Sequence, residues 1–128
     1  MKTFSDLLGK TLTSAKLGGN DDEIVFVLDD GSACRLYHRQ NCCESVFVES
    51  IVGELDDLVG SPITMADESS GEIKLADNQY GSGTWTFYKL ATARGFVDIR
   101  WKGESNGYYS ESVDFEYFPP LALEPACG

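Results

Sequence analysis

Positive charge, histidine and long apolar runs are all scarce in this 128-residue sequence, and each shortage excludes a class of function. Ten Lys and Arg residues stand against 21 Asp and Glu residues, which gives a formal net charge of −11, and neither half of the chain is basic. A surface of this sign repels phosphate groups over a Debye length of about 8 Å, so we predict no direct binding to nucleic acid or to a membrane. The same charge attracts basic proteins.

Targeting signals are also lacking. No stretch approaches the roughly 18 apolar residues of a membrane-spanning helix, and the N-terminal MKTFSDLLGKTL has neither the apolar core nor the cleavage site of a secretion signal. We therefore predict a cytoplasmic protein. The four cysteines are Cys34, Cys42, Cys43 and Cys127. Because adjacent cysteines pair only through a strained ring, and because the cytosol keeps thiols reduced, we predict four free thiols.

Sequence motifs of the common catalytic sites are missing as well. The chain contains no G-x-x-x-x-G-K-[ST], no G-x-G-x-x-G, no H-E-x-x-H and no G-x-S-x-G. The acid-rich segment 56–68 does not have the spacing of a calcium-binding loop. We therefore predict a protein that is not an enzyme and that uses no cofactor.

What the sequence does contain is enough apolar material for one core. With 42% hydrophobic and 12% aromatic residues, a chain of this length needs neither a second domain nor disulfides to fold. We predict one globular β-rich domain over residues 1–118. Residues 119–128 carry three prolines and cannot form a central strand, so they should pack as a tail on the domain or on a neighbouring chain. The second possibility leaves a homodimer open.

Alternating apolar residues predict a mostly β (α+β) fold, either a twisted antiparallel sheet or a small sandwich of six to seven strands. The predicted strands are residues 10–17, 22–30, 32–39, 44–51, 83–93, 95–101 and 109–118. The first three should form a meander, since short turns join them. Helix signals near residues 4–8 and 53–59 predict two short helices. The polar, glycine-rich segment 66–83 is predicted to be the longest and most mobile loop.

The one histidine stands four residues before a Cys-Cys pair, in YHRQNCCESVFVES at residues 37–50. Cys34, His38 and the pair are zinc-ligand types, but an extended strand would separate Cys34 from His38 by about 13 Å, so we predict no metal. A cysteine nucleophile with His38 as base lacks an orienting partner at a recognisable spacing.

Core packing is therefore the favoured interpretation of this stretch, and a binding pocket is the alternative. Strand alternation would place Cys42 on the apolar face with Val46 and Val48. Cys43 would lie on the other face and is therefore the cysteine of the pair that we expect to be exposed. The residues we predict for a binding role in this stretch are His38, Cys43 and Glu44.

A second candidate is WKGESNGYYSES at residues 101–112, in which aromatic residues surround an Asn-Gly turn. Aromatic faces beside amide and hydroxyl groups suit a nucleobase, a sugar or a peptide. An ordinary hairpin whose tyrosines shield an edge is the favoured interpretation of this stretch, and a binding role is the alternative. The predicted ligand- or partner-binding residues of this region are Trp85, Arg100, Trp101, Glu104, Asn106, Tyr108 and Tyr109.

Three blocks of the sequence carry a family resemblance. LLGKTLTSAKL, YHRQNCCESVFVESIVGELDDLVGSPI and TWTFYKLATARGFVDIRWKGESNGYYSESVDFE resemble a family of small acidic domains of unknown function found in bacteriophages and prophages. The resemblance spans residues 4–116. It implies a phage origin and a role inside the infected bacterium, and it transfers no activity and no site.

Charge and resemblance together suggest three functions. Small acidic phage proteins without catalytic motifs are frequently inhibitors of host systems such as restriction or CRISPR effectors. Our first hypothesis is therefore a non-enzymatic inhibitor of an anti-phage defence protein, whose acidic surface mimics nucleic acid toward a basic host protein. The alternatives are a binder of a small nucleotide-like ligand in the aromatic pocket, and a structural or assembly protein of the phage. Salt distinguishes the first two, because only a charge-driven complex weakens steeply as salt rises.

Overall fold

Two antiparallel sheets of four strands each build the fold of this computed structural model, which describes residues 1–73, 81–107 and 109–120. The first sheet has the order β1-β2-β3-β8, with β1 at Leu12–Leu17, β2 at Glu23–Leu28, β3 at Ala33–Tyr37 and β8 at Asp114–Phe118. The second has the order β4-β7-β6-β5, with β4 at Ser45–Val52, β5 at Met65–Glu72, β6 at Ser82–Thr92 and β7 at Gly95–Ser105. The prediction of a mostly β antiparallel fold is confirmed.

One hydrophobic core lies between the two sheets, because each contributes every second residue of its strands. Ile24 and Phe26 of β2 are fully buried, as are Ile99 and Trp101 of β7. Burying side chains of this size contributes about 1.5 to 3 kcal/mol each, which drives the two inner faces together. The outer face of β7 carries charged residues, as its alternation predicted.

The predicted meander of the first three strands is confirmed. β1 pairs with β2 and β2 with β3, both antiparallel. The turn between β2 and β3 places Gly31 at a φ of 88°, a left-handed conformation that glycine adopts without strain. The Asp30-Gly31 signal therefore marks this hairpin correctly.

The prediction of two short helices is wrong. Phe4–Leu7 and Leu55–Leu58 each form a single 3-10 turn. The first begins as predicted, with Asp6 accepting a hydrogen bond from the Thr3 N–H at 3.0 Å, but Gly9 follows at a φ of 84°. The second lies between Gly53 and Gly60, both also at positive φ. Left-handed residues so close together leave no length for an α-helix.

Two predictions about connections are also wrong. Much of the predicted loop 66–83 is strand β5, which pairs with β6 along its whole length; the rest of that loop includes residues 74–80, which lie outside the described residues. An edge strand with one buried residue, Ala66, gives almost no apolar pattern. The predicted hairpin at the Asn106-Gly107 turn does not form, since β7 continues to Ser105 and the next strand, β8, pairs with β3 of the other sheet and not with β7.

Two further expectations, on membrane-spanning segments and on the C-terminal tail, can be compared with the described residues only in part. Within them, no helix is long and apolar enough to cross a membrane. Residues 121–128 of the predicted tail lie outside the described part of the chain.

Candidate functional site

His38 and Glu44 do lie together, as a buried bridge between the end of β3 and the start of β4. Their side chains are 3% and 0% exposed, and His38 Nε2 lies 2.7 Å from Glu44 Oε2. His38 Nδ1 lies 2.7 Å from the carbonyl oxygen of Ser112. Because a carbonyl oxygen and an ionised carboxylate can only accept, both contacts are satisfied when both ring nitrogens carry a proton.

The Glu44 carboxylate is also held by backbone donors. The N–H groups of Asn41 and Cys42 donate to it at 2.8 and 2.9 Å. Burial by itself would raise the pKa of Glu44, but the hydrogen bonds from Cys42, His38 and Asn41 outweigh it and lower the pKa to about 2. An ionised carboxylate with this many donors holds the loop 38–44 in place. Buried to this degree, the pair has no free position for a substrate.

The cysteine predictions for this stretch need correction. Cys42 and Cys43 are both exposed, because β4 begins only at Ser45, and they are joined as a disulfide. The predicted alternation holds from residue 44 onward, where Glu44, Val46 and Val48 are buried. The even-numbered residues were therefore correctly assigned to the buried face, but Cys42 precedes the segment that alternates. The exposure predicted for Cys43 is observed.

The prediction of four free thiols is therefore wrong for the adjacent pair. Cys34 is free and fully buried, and burial raises its thiol pKa to about 12. Cys127 lies outside the described residues. Within those residues, no group of three or more His, Cys, Asp or Glu side chains is arranged to hold a metal ion.

The predicted aromatic pocket does not assemble. Trp101 is fully buried in the core, whereas Trp85 and Arg100 lie on the outer face of the second sheet, with the guanidinium carbon 4.6 Å from the centre of the Trp85 ring. The two tryptophans are on opposite faces because Trp85 is registered with Lys102, and Thr86 with Trp101. The other predicted residues are exposed Glu104 and Asn106, half-buried Tyr109, and Tyr108, which lies outside the described residues.

Sequence reasoning missed a buried carboxylate, Glu111, in a polar cleft of about 360 Å³ between β5, β6 and the segment before β8. We name it the serine cleft; it is lined by Glu68, Ser70, Ser82, Thr84, Thr86, Tyr109, Ser110, Glu111, Ser112 and Val113. Glu111 accepts hydrogen bonds from Ser82, from Thr84 at 2.7 Å and from Ser105 at 2.5 Å. Burial acts to raise the pKa of Glu111, yet the three hydroxyls lower it below its usual range.

Sequence reasoning also missed a groove of about 580 Å³ on the other side of the molecule, between β1 and β4. We name it the acidic groove; it is lined by Ala15, Lys16, Leu17, Ile51, Gly53, Glu54, Leu55 and Asp56. The β1–β2 turn, with exposed Asp21 and Asp22, lies at one end, since the Asp21 carbonyl accepts a hydrogen bond from the Val48 N–H. The sequence showed these acids as turn residues, and only the sheet order brings their turn near the groove that Glu54 and Asp56 line.

The two sites differ in what their carboxylates do. In the serine cleft Glu111 is satisfied by three hydroxyls, and Glu68 accepts a hydrogen bond from the Tyr88 hydroxyl at 3.2 Å. In the acidic groove, Glu54 and Asp56 form no ion pair with any described residue. The acidic groove is therefore the stronger candidate for binding a partner.

Comparison with known proteins gives a family but no function. No curated protein and no solved structure matches the chain. A family model described as a domain of unknown function, DUF7448, matches residues 5–115. This range lies within the span of the resemblance seen in the sequence, and it covers most of both sheets. The chain therefore belongs to the DUF7448 family of domains of unknown function.

Proposed function

We propose that this domain is a non-enzymatic binding protein that engages a basic partner protein through its acidic surface. The proposal rests on one observation, which is that exposed carboxylates without an ion pair stand around a groove that also offers apolar contacts. Asp21, Asp22, Glu54 and Asp56 are exposed around the acidic groove and form no ion pair within the described residues. Nothing in the packing uses these charges, so they are available to a partner.

Two arginines of the chain are placed differently. Arg35 bridges Glu23 at 2.9 Å and Glu116 at 2.7 Å, and Arg100 pairs with Glu49. These arginines are neutralised on the outer faces of the sheets, where they also stack on aromatic rings. Because these arginines are paired with other carboxylates, they do not neutralise the acids of the groove.

The biological form of this proposal is inhibition. An acidic groove that occupies the nucleic-acid surface of a host protein would exclude DNA or RNA from it, as a mimic of the phosphate backbone. The phage origin implied by the resemblance makes an anti-phage defence protein the host partner that we propose. Its basic surface supplies the complementary charge.

The test is capture from bacterial lysate followed by competition. The immobilised domain should retain a nucleic-acid-binding protein that is released between about 0.1 and 1 M salt, over which the Debye length falls from about 10 to 3 Å. Pre-incubation of that protein with its DNA or RNA should prevent capture. A partner that stays bound at high salt, or that binds the domain and nucleic acid together, would overturn the proposal.

Two other measurements address the alternatives. Native mass spectrometry of the purified domain would reveal a co-purifying small ligand, which would favour the nucleotide-binding alternative. Trp101 lies apart from Trp85 and Arg100, which argues against the aromatic pocket predicted from the sequence. Recovery of the domain with phage particles would favour the assembly role.

A further inference from the structure

The acidic groove lies between edge strand β1 and the end of edge strand β4 with the segment that follows it. β1 is the first strand of one sheet and β4 the first of the other, so each pairs with a neighbour on one side only. An edge strand presents unpaired N–H and C=O groups that can receive an additional strand. Here the edge of β1 and the end of β4 lie on opposite sides of the acidic groove.

The backbone of β1 is oriented to accept such a strand. The Gly18 N–H donates to the Glu23 carbonyl at 2.7 Å, which fixes the alternation of the β1–β2 ladder. Because hydrogen-bonded and non-hydrogen-bonded pairs alternate, the backbone groups of Ala15 and Leu17 point away from β2 and toward the groove. Within the described residues neither of them has a backbone hydrogen-bond partner outside the ladder.

Both ends of the slot are closed, and its middle is open. At one end the Val48 N–H donates to the Asp21 carbonyl at 2.6 Å, and at the other the Gly60 N–H donates to the Leu12 carbonyl at 2.9 Å. Between these two contacts, no backbone hydrogen bond of the described chain joins β1 to β4. The six residues of β1 span about 20 Å, which is enough for an extended segment of five or six residues.

The side chains around this slot define what fits. Leu17 is 37% exposed, and Ile51 and Leu55 are partly buried, so the groove offers apolar contacts. Glu54 and Asp56 line the groove itself, Asp21 and Asp22 flank one end, and Lys16 contributes a single positive charge. An apolar floor flanked by acids is complementary to an extended segment that carries both apolar and basic side chains.

We propose that the acidic groove binds an extended basic segment of the partner as an added β-strand between β1 and β4. Main-chain hydrogen bonds to Ala15 and Leu17 supply affinity for any extended backbone, and the acids around the groove select basic side chains. This inference rests on the proposed function and names its binding mode. It does not depend on which host protein supplies the segment.

The test uses a synthetic capped peptide of about eight alternating lysine and valine residues, titrated into the isotopically labelled full-length protein and followed by NMR. We expect shifts at the amides of residues 13–17 and 48–53, with hydrogen exchange at Ala15 and Leu17 slowed at least tenfold. Two control peptides separate the contributions: one with glutamate in place of lysine, and one N-methylated at alternate amides. Both should bind at least tenfold more weakly.

A variant of the protein completes the design. Leu17→Ser shortens an exposed side chain and should fold normally, yet it should weaken peptide binding several-fold. Salt-sensitive binding of the lysine peptide without slowed exchange at Ala15 and Leu17 would overturn strand addition and leave the acidic-surface function standing. Absence of binding at low salt, or equal binding of the glutamate peptide, would overturn both.

Discussion

The two open sides of this sandwich hold carboxylates of opposite kinds. The serine cleft contains Glu111, which is buried and accepts hydrogen bonds from three hydroxyl groups. The acidic groove contains Glu54 and Asp56, which are exposed and form no ion pair within the described residues. Both sites contain acids beside a cleft, and their surroundings differ completely.

This difference separates structural charge from available charge. A carboxylate surrounded by donors from its own chain stabilises the fold and offers little to a partner, since its lone pairs are already used. A carboxylate without such donors adds little to stability and remains free to bind. By this criterion Glu111 and Glu44 belong to the fold, and the groove acids belong to the function.

The largest effect on stability is expected from Glu111→Ala. This change removes the acceptor shared by Ser82, Thr84 and Ser105 and should lower the free energy of unfolding by about 2 to 4 kcal/mol. Chemical denaturation measures it. Glu72→Ala is the control, because exposed Glu72 forms no ion pair within the described residues and should cost less than about 1 kcal/mol. Equal losses in the two variants would remove the distinction between buried and available acids.

An effect of similar size is expected from acid. The pKa of Glu44 is about 2 in the folded protein and 4.5 when unperturbed, so its contribution is complete above pH 4.5 and is lost as pH falls toward 2. Denaturation measured across this window should show a shallower decline for Glu44→Gln than for the wild type. Glu104→Gln, at an exposed acid, should keep the wild-type slope. A steeper decline in Glu44→Gln would contradict the assignment.

The cysteine pair should matter less still. Cys42 and Cys43 are exposed, so replacing both with serine should change the free energy of unfolding by less than about 1 kcal/mol. In a Cys127→Ser background, the native reduced protein should label rapidly at the pair and remain unlabelled at buried Cys34, whose pKa burial raises to about 12. Rapid labelling of Cys34 would show that the first sheet opens readily.

The smallest effect on stability is expected in the acidic groove itself. Replacing Asp21, Asp22, Glu54 and Asp56 with their amides should alter the free energy of unfolding by no more than about 0.5 kcal/mol, because none of them forms an ion pair within the described residues. Thermal and chemical denaturation of this groove variant check the point. A loss comparable with that of Glu111→Ala would make these acids structural.

The strands were predictable where alternation is strong. β2 and β7 bury every second residue, and their positions followed from the sequence. β5 was not predictable, because an edge strand with one buried residue has no apolar period. The two 3-10 turns were predicted as helices because the spacing of apolar residues does not show where glycines at positive φ end a helical segment.

The sites were predictable only where their residues are near in sequence. His38 and Glu44 are six residues apart, and their proximity was expected. Glu111 meets Ser82 across 29 residues, and the acidic groove joins β1 to the segment after β4. Both depend on the order of strands in the sheets, which local patterns do not contain. Trp101 shows the converse, since a residue near others in sequence was assigned to a pocket and lies in the core.

The most direct test of the central claim is the affinity of the captured basic partner for two variants with equal charge. One is the groove variant, with Asp21, Asp22, Glu54 and Asp56 neutralised; the other neutralises the four exposed acids Asp29, Asp67, Glu72 and Glu104, which lie elsewhere. At roughly 0.5 kcal/mol for each lost charge, the groove variant should bind about thirtyfold more weakly, whereas the second variant should stay within about threefold of the wild type. Equal weakening by both variants would show that net charge and not the acidic groove attracts the partner, and would contradict the account.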